Sequence, residues 1–135
     1  MERWLGDGGM SLIGSLGGSF TAYGEGWAEA TWDPTPDCCN PAGTVQAGVQ
    51  AVLLDAAMNF ALLAALDRGD RVATLEMKTS NLRAAQGGER LAVRAEVIRV
   101  GRRMGFVQAW LRTADNTAVA HATGTFIVNR REPEA

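Results

Sequence analysis

The fold is decided by residues 40–67, NPAGTVQAGVQAVLLDAAMNFALLAALD. From Thr44 to Asp67 there is no proline, a single glycine and a run of Ala, Leu, Val and Met, which predicts one long helix. Twenty-four residues would span roughly 36 Å. Thr44 is placed to cap its start, and Asp67-Arg68-Gly69-Asp70 reads as its stop and turn. The helix is apolar almost all round, and such a helix is normally buried on most sides. A chain of 135 residues has no large core to hide it in. The simplest solution is a sheet curled around the helix, with a partner chain covering what the sheet leaves open.

The flanking sequence supplies the sheet. Phe20 to Trp32 alternates, with Glu25, Trp27, Glu29 and Thr31 on one side and Ala28, Ala30 and Trp32 on the other, and predicts a strand. Residues 33–43 hold three prolines with Asp, Asn and Gly, and read as a loop. Residues 1–19 are a Gly-rich N-terminal extension with a short helix or turn. Beyond the helix, Arg71–Leu82, Arg90–Val100, Phe106–Thr113 and Thr117–Asn129 read as strands. Gly101 to Gly105 and Asp115-Asn116 read as hairpin turns, and 130–135 as a polar, frayed tail. The result is one α+β domain over 1–135: strand, central helix, then four strands of an antiparallel sheet wrapped on that helix.

Composition narrows the function. Apolar residues make up 47 % and charged residues 21 %, which excludes a disordered chain. Thirteen basic and 15 acidic side chains give a net charge of -2, which argues against a sequence-independent nucleic-acid binder. The adjacent Cys38 and Cys39 are poorly placed to bond to each other. They are expected as free, mostly structural thiols in a reducing compartment. With His121 they do not make a four-ligand zinc site, so no metal is expected. No N-terminal stretch has the form of a signal peptide and no membrane span is expected. A cytoplasmic protein follows as the expectation.

Four polar residues interrupt the apolar helix: Gln46, Gln50, Asp55 and Asn59. At 100° per residue Gln46 and Gln50 share one face, and Asp55 and Asn59 share the opposite one. Asp55 demands an explanation, because a carboxylate among apolar neighbours is costly unless it is paired or hydrogen-bonded. No Lys or Arg lies one helical turn away. It is either partly exposed or held by a neighbouring hydroxyl, or it faces a cleft as general base or nucleophile. The helix start is the second candidate, since its free N–H groups and dipole suit a developing oxyanion, and Ala47 and Gly48 are small enough to let a ligand approach. Gln46 and Asp55 face opposite ways, so one helix does not aim both at one atom. Two copies related by a two-fold axis do, which implies a homodimer with two shared sites.

The run Asn40-Pro41-Ala42-Gly43-Thr44-Val45-Gln46-Ala47-Gly48, followed by Leu53-Leu54-Asp55, resembles the hotdog-fold acyl-CoA thioesterases of the phenylacetate-degradation (PaaI-like) subgroup. Their pattern is an Asn, a His-Gly-Gly six residues on, and an Asp or Glu nine residues after the His. Asn40, Gln46 and Asp55 keep both spacings. The run from Ala73 to Met77 and on to Ala85 resembles the family's third strand, and Gly101-Arg102-Arg103 is a family-like hairpin tip. The resemblance covers roughly residues 12–129.

The resemblance implies a hotdog fold and hydrolysis of an acyl-CoA, with coenzyme A as part of the substrate and no separate cofactor. Asp55 takes the place of the catalytic carboxylate. Asn40 matches the residue that orients thioester or water, and the N–H of Ala47, beside Gly48, matches the group that polarises the carbonyl. Thr74 matches a position where relatives carry a Ser or Thr that supports the attacking water. The family builds its site across a dimer, and dimers commonly pair into tetramers. The departure is Gln46-Ala47-Gly48 in place of His-Gly-Gly: Gln hydrogen-bonds but does not titrate.

Arg83, Arg102 and Arg103 are the candidates for the phosphates of coenzyme A. Trp27, Trp32, Trp110, Met58 and Phe60 are candidates for the acyl pocket, core or interface, and His121 is expected to be structural. Two other functions compete. A hotdog hydratase or dehydratase pairs a His with a carboxylate, and the only histidine is His121. A non-catalytic acyl-CoA-binding module fits the missing His and the extra methyl of Ala47.

Overall fold

The computed structural model describes residues 4–131. Its elements are α1 (Ser11–Ser15), β1 (Gly18–Gly24), β2 (Trp27–Trp32), a short 3-10 turn (Pro36–Cys38), α2 (Ala47–Ala64), β3 (Arg71–Asn81), β4 (Leu91–Val100), β5 (Met104–Thr113) and β6 (Ala118–Asn129). The six strands form one antiparallel sheet in the order β1-β2-β4-β5-β6-β3. Helix α2 packs against all six. This is the hotdog architecture.

Alternation builds the sheet's two faces. Ala28, Ala30 and Trp32 of β2, Leu91, Val93 and Ala95 of β4, and Val107, Ala109 and Leu111 of β5 are buried on the helix side. They meet Leu53, Leu54, Ala57, Met58, Ala61 and Leu62 of α2, all fully buried. Each such Leu contributes about 1.5–3 kcal/mol by leaving water. By length and composition α2 is apolar enough to cross a membrane, but here it is the core helix of the sheet.

Three expectations are corrected. The stretch Phe20–Trp32 is a hairpin, because Gly24 pairs with Trp27 and leaves Glu25-Gly26 as a two-residue turn. Gly26 takes φ +76°, a conformation that favours glycine. The alternation runs unbroken through so short a turn, so the periodicity alone shows one strand. The long helix is three residues shorter at each end than 44–67. Thr44 and Val45 form isolated bridges with Gln86 and Cys39, and the cap residue is Gln46, which makes no side-chain cap bond. The start of the tail is tied down: the Arg131 N–H donates to Asp70 Oδ1 at 2.7 Å, and Arg130 Nη2 donates to the Gly101 carbonyl at 2.9 Å. Residues 132–135 of that tail, and 1–3 of the extension, lie outside the described residues.

Two features position the site. The Gln46 N–H donates to the Cys38 carbonyl and the Val45 N–H to the Ala85 carbonyl, each at 2.9 Å, which pins the start of α2 between two loops. At the other end, Asp67 and Asp70 close the turn that brings β3 back along α2. Strand β3 is an edge strand, paired with β6 on one side only.

Candidate active site

Asp55 sits midway along α2 and is half-buried. The register of β3 slips between Thr74 and Glu76, so Leu75 is bulged and stands 59 % exposed. Thr74 pairs with Phe126, a fully buried residue of the helix-facing side. The Thr74 hydroxyl therefore reaches α2 and donates to Asp55 Oδ1 at 2.8 Å. Asn59, one turn on, donates from Nδ2 to the same oxygen at 3.2 Å and to the Asp55 carbonyl at 2.7 Å, and lies 3.4 Å from Thr74 Oγ1. Two neutral donors thus fix one carboxylate oxygen. Among the described residues Oδ2 accepts no hydrogen bond and no cation pairs with Asp55. The sequence placed Asn59 on the face of Asp55 but gave it no role; the i, i+4 spacing was the available signal.

Beside this cluster lies an open cavity of about 770 Å³. Asp55, Asn59 and Thr74 form one polar part of its lining and Asp70 and Arg71 another, and Ala56, Phe60 and Leu63 line it from α2. Asp70 closes one end. Its carboxyl is held below the usual carboxylate range, chiefly by the Arg131 N–H, against the opposing effect of burial, with help from the Asp67 N–H and the Arg130 guanidinium.

The start of α2 lies elsewhere. Gln46, Ala47 and Gly48 are exposed. The Ala47 and Gly48 N–H groups have no acceptor among the described residues, and a Cβ on Gly48 would meet nothing within 4 Å. Eight residues of helix rise, roughly 12 Å, separate Ala47 from Asp55, so within one chain the two do not converge on one atom. Asn40 is committed to its own loop. Its Oδ1 accepts from the Ala42 and Thr44 N–H groups at 3.0 and 3.1 Å, and its Nδ2 donates to Thr44 Oγ1 at 2.8 Å. Its visible role is to shape the approach to α2, with one Nδ2 hydrogen left over.

The three arginines are not brought together. Arg83 follows β3 and pairs with Glu89 at 3.4 Å. Its N–H donates to Val119. Arg102 and Arg103 lie at the β4–β5 tip, where the Arg103 carbonyl accepts from Val128. Val119 and Val128 are nine residues apart on or beside β6, roughly 30 Å.

His121 is on the sheet face away from α2, 4.1 Å from the Trp110 ring and 3.3 Å from Gln108 Oε1. Trp27 and Trp110 occupy that same outer face under Arg94 and Arg112. The Arg94 guanidinium is held above its ordinary value, chiefly by Glu96. Trp32 and Met58 are core residues, so of the proposed pocket residues only Phe60 lines the cavity. Cys38 is buried, and both thiols are free. Among the described residues no group of three His, Cys, Asp or Glu could hold a metal.

Known proteins share this fold. The Thioesterase superfamily profile matches residues 42–120, from the loop before α2 into β6. The chain belongs to the thioesterase superfamily. A Haemophilus influenzae protein, provisionally named an esterase, is 30 % identical over 106 residues, 78 % of this chain and 76 % of its own. A solved structure from Ralstonia eutropha, provisionally described as a thioesterase related to phenylacetic acid degradation, is 34 % identical with a TM-score of 0.79, covering 87 % of this chain and 89 % of that one. It supports the phenylacetate-degradation subgroup. A hypothetical thioesterase of Streptococcus pneumoniae, solved with coenzyme A, has a TM-score of 0.78 at 20 % identity, over 85 % of this chain and 88 % of its own.

Proposed function

We propose that this protein hydrolyses acyl-CoA thioesters to free acid and coenzyme A, with Asp55 as the general base. The observation that carries the reading is the carboxylate fixed by Thr74 and Asn59 at the wall of a large apolar cavity. Two neutral donors orient Asp55 through one oxygen, which leaves the second for a water. Asp55 takes a proton from that water as the oxygen attacks the thioester carbonyl. The C–S bond then breaks and the proton passes to the departing thiolate. The tetrahedral oxyanion needs donors, and the unsatisfied N–H groups of Ala47 and Gly48 at the positive end of α2 suit it.

Because those groups stand roughly 12 Å along the helix from Asp55, the site is shared: Asp55 comes from one chain and the start of α2 from its partner. The unpaired edge of β3 supports such a dimer, since an 11-residue edge strand with exposed Leu75 is suited to pairing with a second copy. Pairing of dimers into tetramers is part of the same reading.

Coenzyme A is the proposed carrier, in keeping with the Streptococcus pneumoniae neighbour. Arg102 and Arg103 meet its phosphates in this reading, since neither pairs with a carboxylate among the described residues and both line a cleft of about 290 Å³ with Arg130. Arg83 contributes less because Glu89 engages it. Asn40 and Gln46 frame the approach to the oxyanion donors. A cytoplasmic location is proposed on the same footing, as is the absence of a cofactor beyond the substrate's own coenzyme A. The hydratase reading loses its basis, because His121 and Asp55 lie on opposite sides of the sheet.

The test is thiol release from acetyl-, medium-chain, long-chain and aromatic acyl-CoA esters. Release that Asp55→Asn abolishes supports the proposal. No release from any ester, with esters still raising the melting temperature, would replace it with a binding module.

A further inference from the structure

The family profile begins at residue 42, yet one wall of the cavity beside Asp55 comes from far upstream. Trp4, Met10 and Leu12 line it together with Ala56, Phe60 and Leu63 of α2. The segment is fastened to the fold. Gly6 exchanges two backbone hydrogen bonds with Phe20, and α1 buries Ile13 completely. Phe60 is clamped from three sides. The Trp4 ring stacks on it at 5.5 Å between centroids, and Phe20 meets it edge-on at 4.4 Å. The backbone of Gly8, at φ +70°, presses so close that a Cβ there would lie 2.4 Å from the Phe60 ring. Phe60 is therefore a fixed surface. Met10 and Leu12, in contrast, are 41 % and 55 % exposed, apolar side chains at an open mouth.

From Asp55 toward Leu63 the lining positions run along about 12 Å of α2; Ala56, Phe60 and Leu63 make this wall largely apolar, and the charged Asp70 and Arg71 also line the cavity where β3 begins, past the Leu63 end. The volume is in the range of pockets that enclose a sizeable organic ligand, far more than an acetyl group fills. We infer that segment Trp4–Ile13 and the clamped Phe60 form the acyl-binding wall, that the group bound there is an apolar acyl chain, and that Phe60 sets the longest chain accepted. The inference rests on the thioesterase reading for the acyl group's identity, but it concerns residues outside the catalytic cluster.

The experiment measures kcat/KM for straight-chain acyl-CoA esters from acetyl to hexadecanoyl. Three proteins are compared: the full chain, Phe60→Ala and Met10→Trp. For the unaltered chain the value should rise about three- to fourfold per methylene, the gain from burying each one, and then fall once the chain meets Phe60. Phe60→Ala should move the optimum to longer esters. Met10→Trp, at an exposed position that leaves the fold intact, should lower the long-to-short ratio at least tenfold. A flat profile for the unaltered chain, or the same optimum in both variants, overturns the inference. If the unaltered chain hydrolyses no ester, the thioesterase reading fails. The inference is then decided by the rise in melting temperature each ester causes, which must show the same dependence on chain length and the same shifts in the variants.

Discussion

The Thr74 hydroxyl and the Asp55 carboxylate meet at 2.8 Å across the gap between β3 and α2. They are 19 residues apart, on the edge strand and the central helix, and a β-bulge at Leu75 adjoins the contact. Bulges commonly re-aim side chains beside active sites. The bond aligns Asp55 while Oδ2 accepts no hydrogen bond among the described residues. A substitution at Thr74 should therefore act through Asp55. Thr74→Val is expected to lower kcat roughly 10- to 100-fold with little change in KM, the usual scale for a group that orients another. Asp55→Asn should cost about 10³-fold or more. The double variant should be no worse than Asp55→Asn alone, because the two act as a unit. Additive losses in steady-state kinetics would show that Thr74 acts separately.

Gly48 separates stability from turnover. It is helical, and a Cβ added there meets nothing within 4 Å. Gly48→Ala should therefore stabilise the fold, by up to ~1 kcal/mol. The same methyl stands where the oxyanion must approach the helix start, so kcat should fall. A thermal melt and a turnover assay on one preparation check both. A variant that gains stability with turnover intact would remove the start of α2 from the mechanism.

Asp70 gives a pH signature. Its folded-state pKa lies below its unfolded value. The stability it contributes is therefore complete above the unfolded carboxylate value, about 3.9, and is lost as pH falls through the lower folded value. Asp70→Asn should melt below the unaltered chain at pH 7, and the two curves should approach each other as the pH drops below about 4. A constant difference in melting temperature down to strongly acidic pH would contradict the assignment.

The arginines make a graded prediction. Charge reversal of Arg102 and Arg103 to Glu should raise KM for acyl-CoA about a hundredfold, two charge-assisted contacts' worth at about tenfold each, with kcat little changed. Arg83→Glu should have the smaller effect. The opposite ranking in initial-rate measurements would move the phosphates to the other end of the sheet.

Much of the fold was legible because it rests on periodicity. The apolar run of α2 and the inward sets Leu91, Val93, Ala95 and Val107, Ala109, Leu111 state their burial directly. What was lost lay where local signals mislead: Glu25-Gly26 preserves the alternation it interrupts, and Thr44 looks like a cap while its backbone bridges to Gln86. For the candidate site, the Asn40–Gln46–Asp55 spacing pointed to α2, where Asp55 meets Thr74 and Asn59. Thr74 was reached only through family resemblance, as a support for the attacking water; its bond to Asp55 was not legible, since no local pattern links positions 19 apart. The cavity wall from Trp4 to Ile13 was not legible, because packing between distant segments leaves no period in the sequence. That Arg83 and the Arg102-Arg103 tip lie at different ends of β6 was not legible for the same reason: sequence does not show which end of a sheet a loop occupies.

The most direct measurement concerns the claim that one catalytic centre draws Asp55 from one chain and the start of α2 from its partner. Asp55→Asn and Gly48→Leu proteins, each inactive alone, are unfolded together and refolded as an equal mixture, and thiol release is assayed. Half of the dimers are then mixed, each with one intact site of two, so about a quarter of the unaltered activity should return. If the mixture stays as inactive as its parents while mixed dimers form, each chain carries its own complete site and the shared centre is wrong.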